Sequence, residues 1–247
     1  MRTTIQRERG QANRRRRGLG TTGARRWLVA ALVAATLATL HGCASAPPPT
    51  ATDLGWQALE QGDWRTAKTR FGEALRENAR DGRAWHGLAR AQLSGRDPES
   101  ALRSLTSLSQ VDVARFSGEA RATYADALHA AVGARLDRKQ TQAALQAARA
   151  LAQLDPRRSG VSRLLGRSLV AEGDRLRLRG DRNAALPLFQ EACRVTPGDL
   201  EAWVGAVEIL LERKQGGQAI RMLESARKAH PTAGVIRSLT LQAMRFR

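Results

Sequence analysis

From about residue 51 onward, apolar positions recur three and four apart, which is the period of helices that bury one stripe. Small residues punctuate that stripe at regular intervals. Ala67, Ala101, Ala144, Ala185 and Ala219 each stand near the start of a segment, followed by an aromatic residue or Leu and then another small residue. Their spacings are 34, 43, 41 and 34 residues. Self-similarity at such a period marks a chain of supersecondary units, none of which can bury its apolar face alone. The pattern predicts an all-α solenoid of about five helix pairs, with no strand.

The punctuation between segments supports that division. Pro156, Pro197 and Pro231 close second helices, where a residue without an N–H ends a helix cleanly. Gly62-Asp63 and Gly180-Asp181 offer a left-handed helix stop followed by an N-cap. The third copy, Arg115–Arg138, lacks the Gly pair but keeps an apolar face at Ala122, Ala125, Leu128, Val132 and Leu136. The 41-residue spacing adds about two helical turns, so the fourth copy is expected to lengthen its first helix. Part of the 43-residue spacing is expected to be loop near Phe116-Ser117-Gly118. Past Pro231, Val235, Leu239 and Met244 space a last helix whose Arg237, Arg245 and Arg247 are expected to face water as a solenoid cap does.

The first copy reads Leu54-Gly55, Gly62-Asp63-Trp64, Ala67, Phe71 and Ala74-Leu75. The others repeat parts of it: Trp85, Leu88, Ala89 and Ala101; Gly173, Gly180-Asp181, Ala185, Phe189, Ala192 and Pro197; Trp203, Ala219, Ala226 and Pro231. This resembles the tetratricopeptide-repeat family over roughly residues 51–231. The resemblance implies an α-α superhelix of helix pairs whose first helices line an inner wall that grips peptides. By consensus position that wall carries Trp56, Arg83, His86, Arg90, His129, Asp174, Arg177, Val204 and Glu208. The partner-binding candidates are Trp56, Arg83, His86 and Arg90, with Arg167 and Arg177 farther along. The Lys/Asn set with which chaperone-binding members clamp a terminal carboxylate is absent from these positions.

Ahead of the array, Trp27 to Gly42 is a run of 16 residues without a charge, preceded by Arg14 to Arg17 and Arg25-Arg26. A permanent span needs roughly 20 apolar residues, so the run reads as a signal-peptide core with its basic flank in the cytoplasm. Leu40-His41-Gly42-Cys43 resembles the lipobox of bacterial lipoproteins, which implies diacylation of Cys43 and cleavage before it. His41 stands where that pattern prefers a small or aliphatic residue. Residues 44–50 form a Pro-rich tether that no helix can absorb. The expected organisation is signal peptide 1–42, lipidated Cys and tether 43–52, array 53–231 and capping helix 232–247. Ala44 is not the Asp that retains many such proteins in the inner membrane, so an outer-membrane lipoprotein facing the periplasm is expected, with an uncleaved inner-membrane anchor as the alternative.

The formal net charge of +18 suggests a nucleic-acid binder until it is located. Residues 1–26 hold nine Arg against Glu8, which leaves +10 on the rest, basic without being histone-like. No nucleic-acid partner is expected. Gly18-Leu19-Gly20-Thr21-Thr22-Gly23 spells a dinucleotide fingerprint without the preceding strand that phosphate cradling needs. The four His are scattered, with no metal spacing. Cys193 sits beside Ala192 at a small core position, and Glu208 with Glu212 read as a solvated helix face. Neither a cofactor nor a metal is expected, and the chain reads as a non-enzyme: a scaffold or adaptor for protein partners in pilus, secretion or export assembly. The alternative is a binder of anionic envelope polymer, peptidoglycan or lipopolysaccharide, through its basic surface.

Overall fold

Each copy of the repeat becomes a helical hairpin. A computed structural model describes residues 48–246, and the expected signal run, Cys43 and Arg247 lie outside the described residues. The helices are α1 (Ala51–Glu60), α2 (Trp64–Glu77), α3 (Gly82–Ser94), α4 (Pro98–Val111), α5 (Val113–Ser117), α6 (Ala120–Asp137), α7 (Thr141–Leu154), α8 (Val161–Leu178), α9 (Arg182–Val195), α10 (Leu200–Glu212), α11 (Gly216–Ala229) and α12 (Gly234–Met244). Five antiparallel pairs follow, α1/α2, α3/α4, α6/α7, α8/α9 and α10/α11, capped by α12. No strand occurs among the described residues.

The register of the repeat is set by the second helices. All five are 14 residues long, and the anchor Ala is the fourth residue of each. All five anchors are fully buried. A methyl group there lets the two helices of a hairpin approach closely, and longer side chains on either side fill the space to the next hairpin. Successive first helices also touch one another directly, whereas second helices pack on the first helix of the following repeat. Elements that contact their equivalents repeat after repeat lie on the inside of the turn, so the first helices form the inner wall.

The turn inside every hairpin has one geometry. Gly62 (φ +78°) and Gly180 (φ +83°) take the left-handed conformation, and Asp63 and Asp181 then cap the next helix by accepting from the amides of Thr66 and Ala184. The other three turns do the same with residues that have a Cβ: Arg96 (φ 59°), Lys139 (φ 57°) and Lys214 (φ 57°). Asp97 caps the helix after Arg96, but Gln140 and Gln215 form no side-chain cap. The backbone requirement is therefore met at a cost in the second, third and fifth hairpins, and the third and fifth also lack the cap. Lys214→Gly with Gln215→Asp is expected to raise stability by about 1–2 kcal/mol, from removed strain and a restored cap. Thermal denaturation checks it, and an unchanged or lower midpoint would mean the fifth turn is not strained.

Two aromatic rings key the hairpins together. Phe71 and Phe189 are both fully buried. A Cβ placed at Gly55 would lie 2.6 Å from the Phe71 ring, and one at Gly87 would lie closer still. For Phe189 the equivalent distances are 3.0 Å at Gly173 and 2.5 Å at Gly205. Each ring thus fills space that two glycines leave open, one in its own hairpin and one in the next. Trp85 and Trp203 act differently, each donating its indole N–H at 2.9 Å to a loop carbonyl six residues back, Ala79 and Pro197.

Four expectations change. The expected loop near Phe116-Ser117-Gly118 is mostly the short helix α5, started by the Asp112 carboxylate accepting from the Arg115 amide. In the third hairpin Ala122 is exposed and Leu136 only half-buried, while Ala120, Thr123, Ala127, Leu128, Ala131 and Val132 turn inward. The extra length of the fourth copy goes only partly into its first helix, which has 18 residues against 13 in α3; the rest lies in the longer connection 155–160. In the cap, Ile236, Leu239 and Ala243 are buried, whereas Val235 and Met244 are exposed. Val235–Leu239 and Ile236–Leu239 are both valid helical spacings, and contact with α10 and α11 selects the second. Arg237 and Arg245 face water as expected.

Candidate functional site

The inner wall of the first two repeats is built on α1 and α3. Arg83, His86 and Arg90 fall at i, i+3 and i+7 on α3 and so share one face, which meets Trp56 on α1. The Trp56 ring packs edge-on against Phe71 (centroids 5.7 Å apart, 76°) and against His86 (5.6 Å, 71°). The Arg90 guanidinium carbon lies 5.2 Å from the Trp56 ring centroid, within cation–π reach. Arg83 is exposed and donates to Asp53 at 2.6 Å.

His86 is placed differently from its neighbours. It is 5 % exposed, with Nε2 3.0 Å from the Thr123 hydroxyl on α6. Burial holds its pKa below the usual imidazole value, and the nearby Arg90 pushes it the same way. The ring ties the second repeat to the third and offers little surface to a ligand. Its Nδ1 and the Trp56 Nε1 have no hydrogen-bond partner among the described residues. The accessible part of this wall is therefore Arg83, Arg90 and the edge of Trp56.

Arg167 and Arg177 lie on α8, two repeats away. Arg167 is exposed. Arg177 is engaged in an inter-repeat pair with Glu208 of α10 and in a bond to Asp174 at 3.3 Å. Glu212 likewise accepts from Arg182. Along this distal wall Arg177 and Arg182 are paired with Glu208 and Glu212, whereas the exposed Arg167, like Arg90, has no carboxylate within 4.0 Å among the described residues. His129 is exposed on α6 and takes no part in either cluster.

No group of three or more potential metal ligands occurs among the described residues. Cys193 is a buried thiol whose pKa burial pushes up to about 12, so it packs as a small apolar residue. No described helix is long and apolar enough to cross a membrane.

The architecture is thus a stack of helical hairpins with an inner wall of first helices, the class of the α-solenoids. Two family models described as tetratricopeptide repeat match residues 52–108 and 176–243, the first two hairpins and the last stretch through the cap. The chain belongs to the tetratricopeptide-repeat family, and its fold is that of a protein-interaction scaffold of the kind that generally carries no catalysis. Neither match includes the third hairpin. Among solved structures, the crystal structure of a tetratricopeptide-repeat protein from Bacteroides fragilis superposes with a TM-score of 0.55 at 14% identity, covering 80% of this chain and 97% of that one. Looser likenesses include YrrB, described as a tetratricopeptide-repeat protein with an unusual peptide-binding site (TM-score 0.40, 15% identity, 79% and 90% covered). Another is a thermophilic tetratricopeptide-repeat protein from Thermus thermophilus (0.33, 23%, 79% and 97%). At these identities the likeness is one of fold. No curated protein matches the sequence.

Proposed function

We propose that this chain is a lipid-anchored scaffold of a bacterial envelope, which presents the inner wall of its first two repeats to an acidic segment of a protein partner. The observation that carries the partner site is Arg90, stacked on Trp56 beside Arg83 and left without a carboxylate. Arg and Trp are the residue types enriched where interfaces concentrate their binding energy. The anchor rests on the uncharged run that ends at Cys43 and the Pro-rich tether after it. Periplasmic exposure from the outer membrane, and service to a pilus, secretion or export machine, follow from that reading of the leader.

The anchor is tested by feeding cells an alkyne-tagged fatty acid. The wild-type chain is expected to take up label and to sediment with membranes, and Cys43→Ser to lose both properties. Label that persists in Cys43→Ser would place the modification elsewhere and remove the basis for envelope attachment.

A further inference from the structure

The turn of the third hairpin borders an open surface groove of about 680 Å³ whose walls come from three successive hairpins. α4 contributes Glu99 and Arg103, the end of α6 and its turn contribute Arg135, Arg138 and Lys139, and the end of α8 contributes Arg175 and Arg179. Six cations thus line it against one carboxylate.

Two of the six are engaged. Arg135 forms a two-pronged bond to Glu99, with both distances 2.8 Å, and also donates to the Ala143 carbonyl at 3.0 Å. Arg175 grips Glu172 through Nε at 2.7 Å and Nη2 at 2.5 Å, and Glu172 is held from behind by the Thr141 hydroxyl at 2.6 Å. These forks lock the walls. The other four cations, Arg103, Arg138, Lys139 and Arg179, have no carboxylate within 4.0 Å among the described residues. They are nonetheless close enough to act on the walls electrostatically. The Glu99 carboxyl is held below its ordinary range by the Arg135 bond first, and by Arg138 and Arg103 as well. Glu172 is held down by Arg175 first, with Arg179 also contributing.

These four exposed cations border one open groove and together give it a positive field, to which the floor adds. Gln142 and Ala143 in the first turn of α7 line it, and Gln140 gives that turn no side-chain cap. In the equivalent turns of the first, second and fourth hairpins an Asp carboxylate occupies this place. The first turn of α7, at the positive end of its helix dipole and without a carboxylate cap, therefore borders the groove.

The chemistry of the walls narrows the class of anion. Ala143 is the only apolar residue in the lining, so the groove has no anchor point for the side chains of a peptide. Its donors are guanidinium forks and an ammonium, which together suit the several oxygens of a phosphate. We infer that the groove at the α6–α7 turn is a binding site for a phosphate-bearing anion of two or more charges, held by Arg103, Arg138, Lys139 and Arg179. The site lies on the hairpin turns and does not depend on the inner-wall reading above.

The test is calorimetric titration of the full chain with pyrophosphate at low ionic strength, beside two variants that each lose two positive charges. Arg138→Gln with Lys139→Asn empties the groove rim, Asn being chosen because it tolerates the left-handed backbone of residue 139. Arg227→Gln with Lys228→Gln removes the same charge from the exposed end of α11. Wild type and the α11 variant are expected to bind one pyrophosphate with equal affinity, and the rim variant at least tenfold more weakly, with unchanged helicity. Equal weakening by both variants, or heat that never saturates, would reduce the effect to general charge screening and overturn the site. Hexaglutamate binding more tightly than pyrophosphate through the same rim would overturn the phosphate assignment. Phosphatidylglycerol-containing vesicles distinguish the source: if they bind wild type but not the rim variant, and pyrophosphate displaces them, the ligand is a lipid headgroup. If vesicles do not bind while pyrophosphate does, the ligand is a soluble phosphate.

Discussion

Replacing Phe189 by Ala is expected to cost the array roughly 3–5 kcal/mol, the range for emptying a fully buried aromatic site. On a domain of this size that lowers the thermal midpoint on the order of 10 °C. Gly205→Ala acts on the same space from the other side. Its methyl would lie 2.5 Å from the Phe189 ring, and the loss is expected to be about 1–3 kcal/mol, the usual cost of overpacking. The informative measurement is the double variant. If ring and glycine are complementary parts of one contact, the methyl enters space the ring has vacated, and the double variant loses clearly less than the two single losses added together. Strict additivity in chemical denaturation would show that Gly205 is there for a reason other than Phe189. The same relation is expected for Phe71 with Gly87.

The second large effect concerns binding. Arg83→Glu with Arg90→Glu is expected to reduce recovery of crosslinked envelope partners at least tenfold, because two attractive contacts to an acidic segment become repulsive. The fold should survive. Arg83 is about half exposed in its pair with Asp53, and exposed pairs contribute little to stability. A thermal midpoint close to wild type is the control. Recovery of the same partners in the same yield from the folded double variant would exclude this wall and turn attention to the turn side of the hairpins.

How far the sequence could be read differs between repeats. In the first, fourth and fifth, Gly62, Gly180, Phe71, Phe189, Trp203 and the anchor alanines stand at family positions, and the structure places them as those positions require. In the third, nothing local distinguishes an inward from an outward Ala: Ala122 and Ala120 are two residues apart in an Ala-rich helix, and only contact with α4 turns Ala120 inward. The matching role of Gly87 and Gly205 was hidden for a similar reason. Each answers an aromatic side chain 16 residues away in the neighbouring hairpin, and no local pattern announces that distance.

The class of fold, the five hairpins and the proline stops were legible in the residues alone. All of these rest on forces that act within about one helical turn: backbone hydrogen bonding, capping and the spacing of an apolar stripe. Which polar groups meet is settled by how the hairpins stack. Of the inner-wall candidates, that stacking withdrew His86 into a contact with Thr123 and left Arg90 on Trp56 without an acid. It also gathered Arg103, Arg138, Lys139 and Arg179 around one groove, although they are spread over 77 positions and each reads singly as an ordinary solvated cation. Whether a charge is neutralised depends on distances of a few ångströms between residues some 30 to 40 positions apart, and those distances are set by how one hairpin stacks on the next.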